Sequence, residues 1–304
     1  MKFELYHYLQ PFVQKTDNKK LIAIPLAVLA VALLIIAFTT LKTGSPVALG
    51  MDFVGGTQFT VTTTLTEAQL QDMFSAYPLK DIRISGNRVI LQFSQMDTDD
   101  LTALESLIRG NSRFTDIDLK QVAPIYSQQL QKTAFYAVLL SFAGIAIAVF
   151  ILYRKIVSSS AILLCVASDI LISVAFMSIF RIELTLGTVA ALIMLIAYSV
   201  DSNILLTNKV FKRSGNLNDK IAGAMRTGML MTTSTIAAFL VMFIVSTFVH
   251  YIVPGIPPIP LLSQISLIVL IGLIADILNT WFLNAGILRM SLTRSKSKKG
   301  GRHA

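Results

Sequence analysis

Six runs of apolar residues, each long enough to cross a lipid bilayer, constrain the fold of this chain more than any other feature. A membrane-spanning helix needs about 20 predominantly apolar residues. Apolar residues make up 54% of the 304 positions and charged residues 14%, compared with about 25% charged residues in soluble domains. The six runs cover residues 21–39, 133–153, 159–180, 184–206, 228–249 and 261–288. The sequence therefore predicts a membrane α-helical bundle, with one transmembrane helix at 21–39 and a five-helix bundle over 133–288.

Lysine and arginine are distributed unevenly among the polar segments that flank these runs. Seventeen of the 26 basic residues lie in the two tails and in the loops after the second and fourth runs, all on one side of the membrane. The two short loops on the other side contain only Arg181. Because cytoplasmic loops are enriched in Lys and Arg, we expect both termini, residues 1–20 and 289–304, to be cytoplasmic. A multi-pass protein of the cell (plasma) membrane is the expectation that follows.

The polar segment of residues 43–130 is expected outside the cytoplasm and has a periodicity of its own. Alternating apolar residues predict four strands, and a longer apolar period predicts two helices. The strands cover 57–63, 81–85, 88–93 and 114–122, and the helices cover 65–77 and 97–108. Gly86-Asn87 is a hairpin signal, and Thr66 followed by Gln69 is typical of a helix N-terminus. The order β-α-β-β-α-β predicts one small extracytoplasmic α+β domain of the ferredoxin-like type.

Three aspartates, Asp169, Asp201 and Asp276, lie inside the predicted transmembrane helices. An ionised carboxylate at the centre of a bilayer costs from about 2.5 to more than 10 kcal/mol. Such a group persists only where it faces the protein interior, a water-filled path or a partner. The three aspartates are therefore the first candidates for a functional site.

Asp201 has the strongest sequence context of the three. If the fourth and fifth helices form an antiparallel hairpin, Asp201 and Arg226 lie at comparable depth and can pair. Ser199, Ser202 and Asn203 accompany Asp201 along the fourth helix. A carboxylate held near a guanidinium in a dry region can take up and release a proton as its access to water changes. The alternative is that Asp201 only bonds a neighbouring helix through hydroxyl groups.

The other two aspartates have weaker contexts. Asp276 shares a helix face with Asn279 and Thr280, three and four residues later. That face either lines the same water path as Asp201 or holds helices together, and the second reading is favoured. Asp169, with Ser168 beside it, is interpreted as a helix-contact residue.

A short glycine element follows the first predicted helix. Its residues are Asp52, Phe53, Val54, Gly55 and Gly56. Two adjacent glycines permit positive φ and a tight entry into the first strand, so that on its own the element indicates a turn. With a small outer domain and five further helices after it, the element resembles the SecF subunit of the Sec protein-export machinery. That family is related to the resistance-nodulation-division (RND) transporters.

The fourth helix strengthens this resemblance. Residues 197–206, which include Tyr198 and Ser199, resemble the family's motif, as do residues 224–227 and 271–276. Bacterial SecF places Asn then Asp where this chain has Asp201 then Ser202, so the carboxylate is displaced by about 100° around the helix. The order found here resembles the archaeal branch of SecF.

The resemblance implies a protein-export accessory subunit that acts with a SecD-like partner at the Sec translocation channel. It also implies that a proton or sodium gradient is used to move exported polypeptide. Asp201, Arg226, Asp276 and Asn203 are then the candidates for ion coupling. Residues 289–304 form a basic tail, and its stretch from Arg294 to Arg302 is interpreted as an unstructured anchor to anionic lipid headgroups. No cofactor, metal site, nucleic-acid contact or enzymatic activity is expected.

Three alternatives stay open from the sequence. The chain can be a scaffold that stabilises the channel without ion coupling. It can be an intramembrane aspartyl protease that uses Asp201 and Asp276 as a dyad sharing one proton, although the residues around them differ from the motifs of those enzymes. It can also be a stand-alone exporter, although such pumps usually fuse two six-helix halves.

Overall fold

The computed structural model describes residues 9–11, 13, 15–122, 124–212, 215–252 and 259–300. Within these residues, six helical segments are long and apolar enough to cross a membrane. They are Asn18–Thr43, Tyr126–Tyr153, Ile156–Ile179, Leu186–Lys212, Leu217–Val249 and Pro260–Thr293. The predicted number of spanning helices is confirmed, and the chain is a multi-pass membrane protein. Most helices extend a few residues beyond the apolar runs because flanking polar residues continue the same backbone conformation.

Fifteen elements are used below, numbered in chain order. The helices of the bundle are α1 (Asn18–Thr43), α5 (Pro124–Tyr153), α6 (Ile156–Ile179), α7 (Leu186–Lys212), α8 (Leu217–Ile252), α9 (Pro260–Leu278) and α10 (Ala285–Gly300). A π-helical turn, Asn279–Asn284, joins α9 to α10 within the last span. The elements between α1 and α5 are α2 (Met51–Val54), β1 (Gly56–Thr62), α3 (Glu67–Met73), β2 (Leu79–Ser85), β3 (Arg88–Phe93), α4 (Thr98–Gly110) and β4 (Thr115–Val122).

The basic tail differs from its expectation. The last helix continues to Gly300, so the prediction of an unstructured segment from Arg294 to Arg302 is wrong for residues 294–300. Lys and Arg are good helix formers, and nothing in the segment before Gly300 interrupts the helix. Residues 301–304, and much of the N-terminal tail, lie outside the described residues.

The strands form a four-stranded sheet in the order β2-β3-β1-β4, in which all neighbouring strands are antiparallel. The sequence predicted this succession of strands and helices. Helix α3 is shorter than predicted: it ends at Met73, and Phe74 is its C-cap residue. The N-terminal signature is present: the Thr66 amide donates to Gln69 Oε1 at 3.0 Å.

One face of the sheet packs against α3 and α4 and forms a separate apolar core. Alternate residues of β1 and β3 point into it, as the period of two requires. Phe93 contacts both Phe59 and Phe74 edge to face, with ring centroids 6.1 Å and 5.6 Å apart. The buried members are Phe59, Val61, Leu70, Phe74, Val89, Leu91, Phe93, Leu104, Ile108 and Phe114. This domain therefore has a core that is independent of the membrane bundle.

Helices α6, α7 and α9 form the centre of the bundle, and α1, α5 and α8 lie toward its outside. The outer helices carry large apolar side chains on their free surfaces, among them Leu34, Leu41, Phe135, Leu140, Leu230 and Val241. Contiguous apolar surface of this kind is compatible with lipid or with a partner protein. The centre is different, because it contains most of the buried polar side chains.

Candidate functional site

A buried polar cluster lies where α6, α7 and α9 meet. Asp169 on α6 has no exposed surface. Its two carboxylate oxygens accept hydrogen bonds from Ser199 Oγ on α7 at 2.5 Å and from Asn279 Nδ2 at 2.6 Å. Both donors are neutral. The sequence-based interpretation of Asp169 as a helix-contact residue agrees with these bonds, which link three spans.

Asp276 on α9 is the second carboxylate of the cluster and is 1% exposed. Its Oδ1 lies 2.7 Å from Ser202 Oγ and 2.9 Å from Thr280 Oγ1. Ser202 Oγ is also 2.9 Å from the Ser199 carbonyl oxygen. Ser199 and Ser202 therefore connect the two carboxylates through α7. The predicted face of Asp276 and Thr280 is present, and it packs against α7.

A pair of asparagines extends the cluster along the helix axis. Asn203 Nδ2 donates to the Ser199 carbonyl oxygen at 2.8 Å, and Asn284 Nδ2 donates to Asn203 Oδ1 at 2.7 Å. Both side chains are fully buried. The π-helical turn supplies Asn279 and Asn284, and such turns occur frequently at functional sites. No feature of the sequence indicated this turn.

Asp201 occupies a different environment from its neighbours on α7. Its side chain is exposed in the isolated chain. An α-helix advances by about 100° per residue, so the inward orientation of Ser202 and Asn203 turns Asp201 away from the cluster. Among the described residues, Asp201 forms no hydrogen bond or ion pair. The sequence grouped Asp201 with Ser199, Ser202 and Asn203, but the structure separates them.

Arg226 on α8 is also exposed. Within the described part of the chain no ion pair joins it to Asp201, so the pair predicted from the sequence is not formed in this structure. Tyr198 has a packing role: it is half-buried and meets Phe239 of α8 edge to face, with ring centroids 6.3 Å apart. Asp201 on α7 and Arg226 on α8 are thus two exposed charged side chains on the surface of the bundle.

The glycine element forms the joint between the sheet domain and the bundle. Asp52 Oδ1 pairs with Lys120 Nζ on β4 at 2.8 Å, and Asp52 Oδ2 accepts a hydrogen bond from the Leu186 amide at 3.1 Å. Leu186 is the first residue of α7, whose unpaired amides and dipole favour an anion. One carboxylate thereby connects the sheet to the helix that carries Asp201.

The other residues of this element have defined roles. Phe53 is buried against Ala134 and Val189 of the bundle. Gly55 and Gly56 have φ values of 78° and 122°, and a Cβ on Gly56 would lie 2.4 Å from the Phe93 carbonyl oxygen. The turn predicted from the two glycines is present, and close approach to β3 is a further reason for glycine.

A second set of contacts fixes the loop that precedes α7. Leu184 exchanges backbone hydrogen bonds with the segment after α1, donating to the Ala48 carbonyl at 2.7 Å and accepting from the Gly50 amide at 2.8 Å. Arg83 on β2 forms an ion pair with Glu183. Sequence reasoning missed Lys120, Arg83 and Glu183, because nothing local links them to distant partners.

The architecture defines a class: a multi-pass membrane protein with a six-helix bundle, a buried polar cluster and one small sheet domain after the first helix. A family model described as "Protein export membrane protein SecD/SecF, C-terminal" matches residues 103–294. The chain belongs to the SecD/SecF family of protein-export membrane proteins. Membership of this family indicates a role in protein export.

Two curated relatives extend the match over nearly the whole chain. The chain is 39% identical over 290 residues to the protein-export membrane protein SecF of Methanolacinia petrolearia, covering 95% of this chain and 98% of that protein. It is 40% identical over 274 residues to SecF of Haloferax volcanii, covering 90% and 92%. Both organisms are archaea, in agreement with the branch expected from Asp201 and Ser202. Both relatives are named as export membrane proteins and not as enzymes.

A solved structure supports the fold. The crystal structure of SecDF, a translocon-associated membrane protein from Thermus thermophilus, superposes with a TM-score of 0.71 over 90% of this chain, at 18% identity. The match covers 38% of that longer SecDF chain. The comparison therefore concerns the architecture of one part of SecDF.

Proposed function

We propose that this chain is a non-enzymatic subunit of the Sec export machinery that converts movement of protons, or of sodium ions, into movement of its sheet domain. It acts with a SecD-like partner beside the translocation channel and helps to draw exported polypeptide across the membrane. One observation carries the proposal: Asp201 lies on the outer face of the same helix whose first residue is bound by Asp52.

The position of Asp201 favours a protein partner over lipid. Asp201 lies 15 residues after Leu186, or about 22 Å along α7, and is therefore close to the middle of the membrane. Exposure of a carboxylate to lipid at that depth is strongly unfavourable. A SecD-like subunit that covers this face would provide polar groups or a water-filled crevice at the interface.

Proton exchange at Asp201 would change its hydration and its contacts with that partner. One charge crossing a potential of 100 mV carries about 2.3 kcal/mol, so several charges are sufficient to shift a packed helix. The contacts of Asn203 and Asp276 hold α7 to α9 so that the helices move together. Arg226, on the neighbouring helix, is the proposed cation that pairs with Asp201 in another state of the complex.

The contacts of Asp52 connect a movement of α7 to the sheet domain. A displacement of the first turn of α7 would act on β4 through the pair between Asp52 and Lys120, and on β2 through the pair between Glu183 and Arg83. The sheet domain is rigid enough to transmit such a displacement because it has its own apolar core.

We further infer the orientation and domain boundaries from the charge distribution. Arg154, Lys155, Lys209, Lys212 and Lys220 lie at the end of the bundle that is opposite to the sheet domain. This asymmetry supports a plasma-membrane protein with cytoplasmic tails (1–20 and 289–304), helices at 21–39 and 133–288, and an extracytoplasmic, ferredoxin-like domain at 43–130. The basic tail is proposed to contact anionic lipids.

Replacement of Asp201 by Asn tests the proposal. Export is measured in proteoliposomes that contain this chain, its SecD-like partner and the channel, with and without an imposed ion gradient. Asp201→Asn should abolish the gradient-dependent part of export while the subunits still co-purify. Ser234→Ala is the matched control, since that exposed hydroxyl bonds only its own helix backbone. Export by Asp201→Asn at the wild-type rate under a full gradient would favour the uncoupled scaffold.

The protease alternative has little geometric support. A catalytic dyad requires two carboxylates close enough to share a proton. Asp276 is buried against Ser202, whereas Asp201 points to the outer surface of the bundle. The two residues therefore face different environments.

A further inference from the structure

A cleft lies between the open face of the sheet and the first residues of α9. Successive side chains of a strand point to opposite faces, so the residues of β1 and β3 that do not enter the apolar core face this cleft. Gln58, Thr60, Arg88 and Gln92 line it on the sheet side, and Pro260 and Leu261 line it on the side of the bundle. The cleft has a volume of about 380 Å³, which is within the range of ligand-binding sites.

The cleft lies at the level of a membrane surface. Leu186 and Pro260 are the first residues of two membrane spans, and Asp52, which also lines the cleft, accepts a hydrogen bond from the Leu186 amide. Lipid headgroups occupy this level, next to the hydrocarbon core. Leu186, Ile259 and Leu261 are 45%, 43% and 49% exposed. Apolar side chains thus border a cleft whose sheet side is polar.

Arg88 provides the cleft with a cation that lacks a carboxylate partner. In the described part of the chain, no Asp or Glu side chain forms an ion pair with Arg88. The other two cations of the cleft differ: Lys120 pairs with Asp52, and Arg83 is shared between two carboxylates. The acidic groups of the cleft are therefore already paired, whereas the guanidinium of Arg88 is available to an anion.

Thr60 on β1 provides a second donor. Gln92 Nε2 donates to Gln58 Oε1 at 3.5 Å, and Gln58 Nε2 donates to Thr60 Oγ1 at 3.4 Å. A hydroxyl that accepts a hydrogen bond keeps its own proton to donate, and the described residues include no acceptor for it. Thr60 lies opposite Ile90 and therefore diagonal to Arg88, a separation of about 7–8 Å that a long side chain can bridge.

We propose that this cleft binds the phosphate headgroup of an anionic membrane lipid, with Arg88 and Thr60 as donors to the phosphate oxygens. The planar guanidinium of arginine matches the geometry of phosphate. The ammonium of a zwitterionic headgroup would find no free carboxylate here, because the acidic groups are paired. The exposed side chains of Ile259 and Leu261 favour a lipid over free phosphate, since an acyl chain can pack against them.

The position of the cleft also favours a lipid over a polypeptide. An extended polypeptide usually binds by adding a strand to the edge of a sheet. This cleft opens on a face of the sheet, where side chains are presented and the backbone groups are paired within the sheet. The inference concerns a site separate from Asp201 and does not rest on the proposed function.

Lipid binding by the purified full-length chain tests this inference. Radiolabelled phosphatidylglycerol is bound to the chain in a non-ionic detergent and is displaced by unlabelled phosphatidylglycerol, phosphatidylcholine or inorganic phosphate. Phosphatidylglycerol should displace the label at a concentration about fivefold lower than phosphatidylcholine. Equal displacement by the two lipids would overturn the preference for an anionic headgroup. Displacement by inorganic phosphate as effective as that by phosphatidylglycerol would overturn the choice of a lipid.

Variants locate the bound headgroup. Arg88→Gln should raise the Kd for phosphatidylglycerol about fivefold, and Arg88→Lys, which retains the charge, should restore most of the affinity. Arg113→Gln is the matched control, because it removes an exposed cation of the same domain, between α4 and β4 and outside the cleft, and it should leave the affinity unchanged. An unchanged Kd in Arg88→Gln would overturn the site. If that variant fails to fold, the displacement series on the unmodified chain still decides.

The occupant can also be identified in native membranes. A photoreactive amino acid in place of Ile90, which lines the cleft, is irradiated in membranes that contain the full chain, and the mass of the adduct is measured. An adduct with the mass of a phospholipid is expected. An adduct with a polypeptide would assign the cleft to a protein ligand and would overturn the inference.

Discussion

Asp52 accepts a hydrogen bond from the backbone amide of Leu186, a residue 134 positions later in the chain. The same carboxylate pairs with Lys120. The contact places a negative charge at the N-terminus of α7, where the helix dipole is favourable to it. It joins the two parts of the molecule, because Asp52 belongs to the short helix that enters the sheet, whereas Leu186 begins a central membrane helix.

Asp52→Ala should loosen this joint. Loss of an anionic group at a helix N-terminus costs about 0.5–2 kcal/mol, so hydrogen exchange in β4 and in the first turn of α7 should accelerate by about 2- to 30-fold. Asp52→Asn, which can still accept from the Leu186 amide but cannot pair with Lys120, should have an intermediate effect. Identical exchange in the unmodified chain and in Asp52→Ala would show that the joint does not depend on this carboxylate.

Gly56→Ala should destabilise the sheet domain. The added Cβ would lie 2.4 Å from the Phe93 carbonyl, and the φ of 122° is unfavourable for any L side chain. A cost of about 1–3 kcal/mol is typical of such strained positions, and it can be measured by proteolysis or thermal unfolding. Gly110→Ala is the control, because its Cβ would meet no atom within 4 Å. Similar stability of the two variants would contradict the proposed role of Gly56.

The sequence predicted the features that depend on local patterns. Six spans follow from apolar length, and the order of strands and helices follows from residue periodicity. The rotation of α7 was not predictable in this way. Helical rise places Asp201 and Arg226 at similar depth, but only the packing of neighbouring helices determines which face points inward. Ser199 turns toward α6, Ser202 and Asn203 turn toward the last span, and Asp201 faces neither.

The contacts of Asp169 escaped prediction for a related reason. Its donors, Ser199 and Asn279, lie 30 and 110 positions away, and one of them is positioned by a π-helical turn. Such a turn depends on packing around the last span. The donor to Asp52 is the backbone amide of Leu186. Every residue type except proline has such an amide, so the sequence does not indicate this contact.

Asp276→Leu should destabilise the bundle more than Asp276→Asn. Leucine removes the acceptor that the Ser202 and Thr280 hydroxyls share and leaves them only each other and the Ser199 carbonyl. The net loss of a buried hydrogen bond costs about 0.5–1.5 kcal/mol. Asparagine retains an oxygen at the same place. Thermal unfolding of both variants in the same detergent and buffer compares these costs. A leucine variant as stable as the asparagine variant would show that the hydroxyls find other partners.

Thiol labelling should establish the orientation. The single cysteine, Cys165, is buried and can be replaced by Ala to give an unreactive background. In intact cells, an impermeant reagent should label Ser106→Cys in the sheet domain and should label Asn216→Cys, in the loop between α7 and α8, only after the membrane is permeabilised. The reverse pattern would invert the proposed topology.

The π-helical turn has a consequence for the two ends of the chain. Relative to an α-helix, such a turn accommodates one extra residue, and it therefore rotates everything after it by about 100°. Beyond this offset, Gly286 lies against Ile22 of the first crossing, and Arg289 Nη1 donates to the Val13 carbonyl at 2.7 Å. Deletion of a single residue from the turn would rotate Gly286 and Arg289 away from these partners. The last span would then lose its contacts with the first span. The contact between the first and the last membrane span thus depends on the one extra residue of the π-helical turn.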